Sequence, residues 1–284
     1  MRRFYKASEA IKRLGIPRST FFALAQTGQI PKVKLPLRKQ ALYPKDEIDR
    51  LAAEQARILE EIALEPERIQ FMIPAQRDFE QIVEIDRMLF PEETWMTTEE
   101  LQERLPYNPE VTHILKDTKT DMVVGYISMS PIRQDILEEL ITLQIDETSL
   151  KPEYFTPYIP DTPLNCYIVS IAAKPGPGIV QQVYAGKLVL AIESYLLELL
   201  EKGVTIRRIY TIATTKAGDR LAQNLHFTPL PVTSNWESNY EDFRQPYMLD
   251  LEDKKSTSRL VKRYKTHKRS RERRLKRYLR QTDK

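Results

Sequence analysis

Cys166-Tyr167-Ile168-Val169-Ser170-Ile171-Ala172-Ala173, then Lys174-Pro175-Gly176-Pro177-Gly178, then a helical pattern from about Gln182 to Lys202 closed by Gly203: the fold of this 284-residue chain turns on this stretch. The largely apolar run suits a buried central strand. Proline and glycine then force a loop, and the long amphipathic segment returns the chain along the sheet. Ile206 to Ala213 reads as a second strand and Thr215 to Leu225 as a short helix. His226-Phe227 then leads into Pro229-Leu230. The order strand, loop, long helix, strand, short helix, strand predicts an α/β (α+β) domain around a mixed sheet.

Working outward, Phe71-Met72-Ile73 reads as a strand, and Phe79 to Phe90 as a helix with Ile82, Ile85 and Leu89 on one face. Thr97-Thr98-Glu99-Glu100 has the spacing of a capped helix start. Two strands, Thr112 to Lys116 and Met122 to Ser130, flank the turn-like Asp117 to Asp121. Residues 132–163 form an irregular excursion carrying Pro152, Pro157, Pro160 and Pro163, read as a helix and a loop.

The first fifty residues have another character. Ala10, Ile11 and Leu14 recur at helical spacing behind Ser8, a residue suited to capping. Gly15-Ile16-Pro17 breaks that helix, and Arg18-Ser19-Thr20-Phe21-Phe22 opens a second one that Gly28 closes. Two short helices about a short turn form a helix-turn-helix, whose second helix enters the major groove of duplex DNA. Arg18, Ser19 and Thr20 are expected at base edges and phosphates. Residues 31–43 read as two strands around a basic turn, a wing presenting Lys34, Arg38 and Lys39 to the flanking backbone. Residues 47–66 continue as a polar helix that Pro66 stops. The expected organisation is a DNA-binding domain over 1–52, a linker helix over 53–68, the mixed-sheet domain over 69–252 and a basic tail over 253–284, disordered or a frayed helix.

Charge sorts along these divisions, although the net value is only +4. Residues 1–50 carry twelve Lys and Arg against four Asp and Glu, and residues 254–284 carry fifteen against two. The body between them is strongly acidic. Basic ends are expected to meet phosphate, and the acidic body is not. The tail is expected to add salt-sensitive, sequence-independent affinity for DNA, or else to fold back on the acidic body. Cys166 is the single cysteine and there are three histidines. Neither a disulfide framework nor a metal centre is expected. No run is long and apolar enough to span a bilayer, and the amino terminus lacks a signal-peptide core. The expectation is a cytoplasmic protein associated with DNA.

The Ser19-Thr20-Phe21 and Gly28-Gln29-Ile30-Pro31 stretches, with Tyr43-Pro44-Lys45-Asp46-Glu47-Ile48, resemble the MerR/excisionase-like winged helix-turn-helix family. That resemblance implies double-stranded DNA as partner and a homodimer on paired half-sites. The body from about 69 to 252, including Phe90-Pro91-Glu92 and Trp95, resembles the GNAT N-acetyltransferase superfamily, which implies acetyl-CoA and an amine acceptor. The superfamily's Q/R-x-x-G-x-G/A phosphate motif falls on Gln182-Val183-Tyr184-Ala185-Gly186-Lys187. Gln182 matches, Ala185 and Lys187 replace the two glycines, and Gly186 lies one position off. On this resemblance Ile171, Ala173, Gln182, Val183, Ala185, Gly186 and Lys187 are the candidate cofactor residues.

The superfamily's catalytic base is a glutamate or water near the central strands, yet no carboxylate lies on Cys166–Ala173 or Ile206–Ala213. Its tyrosine maps to Ala222, and the glycine of its Gly-Phe pair to His226. Tyr210 and Ser170 are the candidate catalytic residues by location. Cys166 reads as a buried strand residue. The function expected is a DNA-bound protein that binds acetyl-CoA and transfers acetyl to an amine. The alternative is a transcription regulator using a degenerate GNAT-like domain as acyl-CoA sensor or dimerisation scaffold. A third reading is an architectural factor of a mobile element, using both basic ends.

Overall fold

The computed structural model describes residues 3–26, 28–34, 40–90, 92–232 and 243–282, apart from the side chains of Glu93 and of residues 279–282. The elements in chain order begin with β1 (Phe4–Tyr5), α1 (Ala7–Leu14), α2 (Arg18–Gln26), β2 (Tyr43–Pro44) and α3 (Lys45–Leu64). Then come β3 (Ile69–Met72), α4 (Phe79–Leu89), α5 (Thr98–Arg104), β4 (Thr112–Asp117), β5 (Met122–Pro131) and α6 (Gln134–Ile141). The chain continues through β6 (Pro163–Ala173), α7 (Val180–Glu201), β7 (Thr205–Ala213) and α8 (Lys216–Asn224). It closes with β8 (Thr228–Pro229), β9 (Gln245–Asp250) and α9 (Arg259–Thr282). Among the described residues no helix is long and apolar enough to cross a membrane.

Seven strands form one mixed sheet in the order β3-β4-β5-β6-β7-β9-β8, and β1 pairs separately with β2. β6 and β7 run parallel, whereas β9 is antiparallel to both β7 and β8. This gives an α+β architecture with the parallel pair β6–β7 at the centre of a mixed sheet. The chain divides into two compact units. One comprises Met1–Phe71, Leu115–Gly125 and Ala173–Leu188; the other comprises Met72–Ile114, Tyr126–Ala172 and Val189–Lys284.

In the first unit, α1 ends because Gly15 adopts φ 65°, which lets its N–H reach Ile11 O at 2.9 Å. Glycine takes this left-handed cap without a Cβ penalty. The amino end departs from expectation. Lys6 is the cap residue and Ser8 already lies within the helix; the Glu9 carboxylate accepts the Lys6 N–H at 2.7 Å. Ala10, Leu14, Phe21 and Leu24 share one core with Ile48 and Ala52 of α3. Val33 and Leu42 form a single antiparallel bridge.

Beyond α3, Arg68 and Asp117 form a buried ion pair in which the Arg68 Nε donates to Asp117 at 3.0 Å. Arg68 Nη1 also donates to Glu61 at 2.9 Å. The pair keeps Asp117 below the usual carboxylate range despite burial, because three donors converge on it: Arg68 and the N–H groups of Lys119 and Thr120.

In the second unit, the capping box at α5 forms as the sequence predicts. Thr97 Oγ1 accepts the Glu100 N–H at 3.1 Å, and the Glu100 carboxylate accepts the Thr97 N–H at 2.8 Å. Thr215 caps α8 by accepting the Gly218 N–H at 3.0 Å. The carboxy-terminal helix α9 is anchored at its start, where Val261 and Tyr264 are buried and the Tyr264 hydroxyl accepts the Ile206 N–H at 2.8 Å. Arg263 and Lys268 pair with Glu193 and Glu252 at 2.6 and 2.7 Å. Most side chains from Glu272 to Tyr278 are left exposed.

Candidate active site

The site begins where β6 and β7 part. Their parallel register runs from Pro163↔Thr205 to Ile168↔Thr211 and goes no further, although β6 continues to Ala173 and β7 to Ala213. Thr211 Oγ1 donates to Ile168 O at 3.1 Å at the fork. Beyond it the facing backbone groups of the two strands have no ladder partner in each other, and a cavity of about 300 Å³ opens between them. Ile168–Ile171 form one wall and Thr211–Thr215 the other; Leu221 and Ala222 of α8 close a third side. A crevice at the carboxyl ends of parallel strands is the place where α/β folds bind ligands.

Carboxylates reach this cavity from outside the central strands. Glu147, in the 3-10 turn Glu147–Ser149, lines it and accepts a short hydrogen bond from the Tyr167 hydroxyl of β6. Enclosure of its carboxyl raises the Glu147 pKa from 4.5 to about 7, since loss of water outweighs the Tyr167 hydrogen bond. Asp146 raises it further, and Arg244 and Arg104 pull it back in part. A carboxyl titrating near neutrality is suited to accept a proton at working pH. The same burial holds the Tyr167 phenol well above its ordinary range, so it remains the donor. Asp146 is taken up by an ion pair with Arg244.

A second chain ends at the same cavity. The Tyr126 hydroxyl donates to Asp86, which also accepts the Met96 N–H at 2.9 Å. Ser170 Oγ lies 2.8 Å from the Tyr126 oxygen. A phenol has one proton, and Tyr126 gives it to Asp86, so Ser170 donates to Tyr126. The Ser170 oxygen therefore keeps its lone pairs for a ligand and serves as an acceptor. Burial raises the Asp86 pKa.

Of the residues singled out from the sequence, Ser170 and Ile171 line this cavity. Tyr210 does not: its ring packs into a core with Leu137, Tyr167 and Ile212. Cys166 is fully buried and its thiol pKa is pushed up, which makes it a poor nucleophile. Ala173 ends β6. Gln182, Val183, Ala185, Gly186 and Lys187 occupy the first two turns of α7, which starts at Val180. Arg18 and Ser19 are exposed at the start of α2, with the Arg18 guanidinium 5.4 Å from the Phe22 ring centre. Thr20 is half-buried and Lys34 exposed, while Arg38 and Lys39 lie outside the described residues. Glu147, Arg104 and Asp86 were not visible as site residues in the sequence, because nothing in their local pattern marks them.

The loop between β6 and α7 belongs to the same compact unit as α1–α3. Its Ile179 N–H donates to the Gln55 Oε1 of α3 at 3.2 Å, and Gln55 Nε2 donates to Leu14 O at 3.0 Å. Gly178 has φ 59°, and a Cβ there would fall 1.3 Å from the Gln55 carboxamide oxygen. The left-handed backbone is what calls for glycine, since the Gln55 carboxamide is the end of a flexible side chain.

No protein-family model and no curated protein matches the chain. Solved structures do. The chain is similar to Ard1 from Thermoplasma volcanium at 11% identity and a TM-score of 0.42, covering 64% of this chain and 96% of that one. The loading GNATL domain of CurA from Lyngbya majuscula is 14% identical with a TM-score of 0.43, over 64% and 96% of the two chains. The ribosomal-protein-S18-alanine N-acetyltransferase from Escherichia coli is 12% identical with a TM-score of 0.38, over 63% and 90%.

Proposed function

We propose that the chain is a DNA-associated acyltransferase that binds acetyl-CoA and transfers its acetyl group to an amine. The observation that carries this reading is the fork at Ile168↔Thr211, which opens a cavity faced by the Glu147 carboxyl. Freed strand groups beside Val169–Ile171 suit the amide-bearing arm of a CoA thioester, and the Ser170 oxygen can accept one of its N–H groups. The thioester supplies an activated acyl carbon. The amine nitrogen attacks that carbon, the C–S bond breaks and CoA leaves as a thiolate. Glu147 takes the proton from the attacking nitrogen and returns it to the thiolate, while Tyr167 holds the Glu147 carboxyl in place by its hydrogen bond. The test is release of free CoA thiol from acetyl-CoA in the presence of a panel of amines. No release with any amine would remove the transferase.

One observation favours a second reading, an acyl-CoA-responsive regulator. Gln55 joins Leu14 at the end of α1 to the Ile179 N–H, beside the start of α7, where a CoA pyrophosphate would seek donors. A ligand that takes the Ile179 N–H would displace the Gln55 oxygen. Gln55→Ala is expected to tighten acetyl-CoA binding roughly 2- to 10-fold, the worth of one released hydrogen bond. An unchanged Kd by calorimetry would show that the ligand does not use this loop.

For the amino-terminal helices we infer duplex DNA as partner, with α2 in the major groove and Lys34 on the backbone. The exposed Arg and Lys side chains of α9 add phosphate contacts. Arg18→Ala combined with Lys34→Ala should weaken duplex binding about tenfold or more in a mobility-shift assay. Undiminished binding would transfer the interaction to α9.

A further inference from the structure

Arg104, the last residue of α5, is 6% exposed and lines the cavity, yet among the described residues it forms no ion pair. Its guanidinium lies on the face of Phe155, 5.0 Å from the ring centre. Its Nη1 meets only the sulfur of Met96, at 3.6 Å. The carboxylates around it are committed elsewhere. Asp86 takes the Tyr126 hydroxyl and the Met96 N–H, Glu147 takes Tyr167, and Glu100 caps its own helix through Thr97. A guanidinium carries five donors in a planar fork. Burying it without a matching acceptor is costly, so a structural arginine would be expected to sit against one of these three carboxylates.

The unanswered fork and the Glu147 base line the same cavity. We propose that the amine acceptor is an aminocarboxylate, whose carboxylate is read by Arg104 while its amine is presented to Glu147. This deepens the acyltransferase reading and rests on it for the role of Glu147. A carboxylate fits the fork through two parallel hydrogen bonds, which an amide cannot reproduce.

The experiment uses the full chain, acetyl-CoA, and amino acids paired with their own carboxamides, with thiol release as readout. Wild type is expected to favour the acids at least about tenfold in kcat/KM, the weight of a charge-assisted hydrogen bond pair. Arg104→Gln should erase that preference by raising KM for the acids while the amides keep their rates. Arg104→Lys, which keeps the charge and loses the fork, should recover only part of it. Equal loss for acids and amides in Arg104→Gln would make the residue structural and overturn the proposal, as would a wild-type preference for amides.

A binding measurement separates this claim from the transferase reading. Without acetyl-CoA, amino acids at millimolar concentration should raise the Tm of wild type and not that of Arg104→Gln, and their carboxamides should raise neither. That pattern would support the Arg104 assignment even if no thiol were released. Its absence would defeat the assignment even in an active enzyme.

Discussion

Glu147→Gln is expected to lower kcat for acetyl transfer by about 10²- to 10⁴-fold, the usual contribution of a positioned general base. Glutamine preserves the shape and can still accept from Tyr167, but it cannot take up the amine proton. The pH dependence carries the same signature. With the Glu147 carboxyl titrating at about 7, the wild-type rate should climb as pH passes through neutrality and level off above it. The variant should lose that limb.

The stability effect has the opposite sign. The folded pKa is raised above the ordinary 4.5, so between about 4.5 and 7 the native state binds more protons than the unfolded one. Stability associated with this group is present below the lower value and declines as pH rises through the upper. Replacing the group by a neutral isostere removes a penalty of at most about 3 kcal/mol at pH 8. Glu147→Gln should therefore be inactive and at least as heat-stable as wild type at that pH. A variant that is both inactive and markedly less stable would point to structural damage rather than a lost base.

The largest loss of stability is expected from Asp117→Ala. Asp117 is the main counter-ion of Arg68, and both side chains are 6% exposed. Removing it leaves a buried guanidinium with Glu61 as its remaining carboxylate, one that is 32% exposed. Breaking a buried pair from one side costs about 3–5 kcal/mol, and Glu61 should hold the loss near the lower figure. Urea unfolding would read it as a lower midpoint with an unchanged slope. A loss below about 1 kcal/mol would show that Glu61 alone satisfies Arg68. The Asp117 carboxyl is also held below its ordinary range, so its contribution is present above the unfolded pKa and fades as pH falls through the folded one.

The mixed-sheet architecture was legible because its longest elements carry strong periodic signals. In α7 the buried positions Val180, Tyr184, Leu188, Ile192, Leu196 and Leu199 keep helical spacing over its length, and the apolar run of β6 is marked as a strand by its short length and the Pro-Gly stretch that ends it. The site was legible only in part. Ser170 and Ile171 follow from the end of β6, but strand position alone does not say whether a residue meets a cavity or a core. Tyr210, on the neighbouring strand, packs into a core. Glu147 lies in the proline-bearing excursion of residues 132–163, where no periodicity fixes the backbone. Arg104 reads locally as an ordinary cation in the last turn of a helix. Its meaning comes from what surrounds it, Phe155 and Met96, residues distant or unremarkable in sequence.

Calorimetric titration of acetyl-CoA into the full chain asks whether the fork between β6 and β7 receives an acyl-CoA. The predicted result is saturable binding at one site per chain, with a negative heat-capacity change as the arm is buried between the strands. Absence of heat at every temperature tried, together with an unmoved Tm at saturating acetyl-CoA, would mean that the fork does not bind an acyl-CoA.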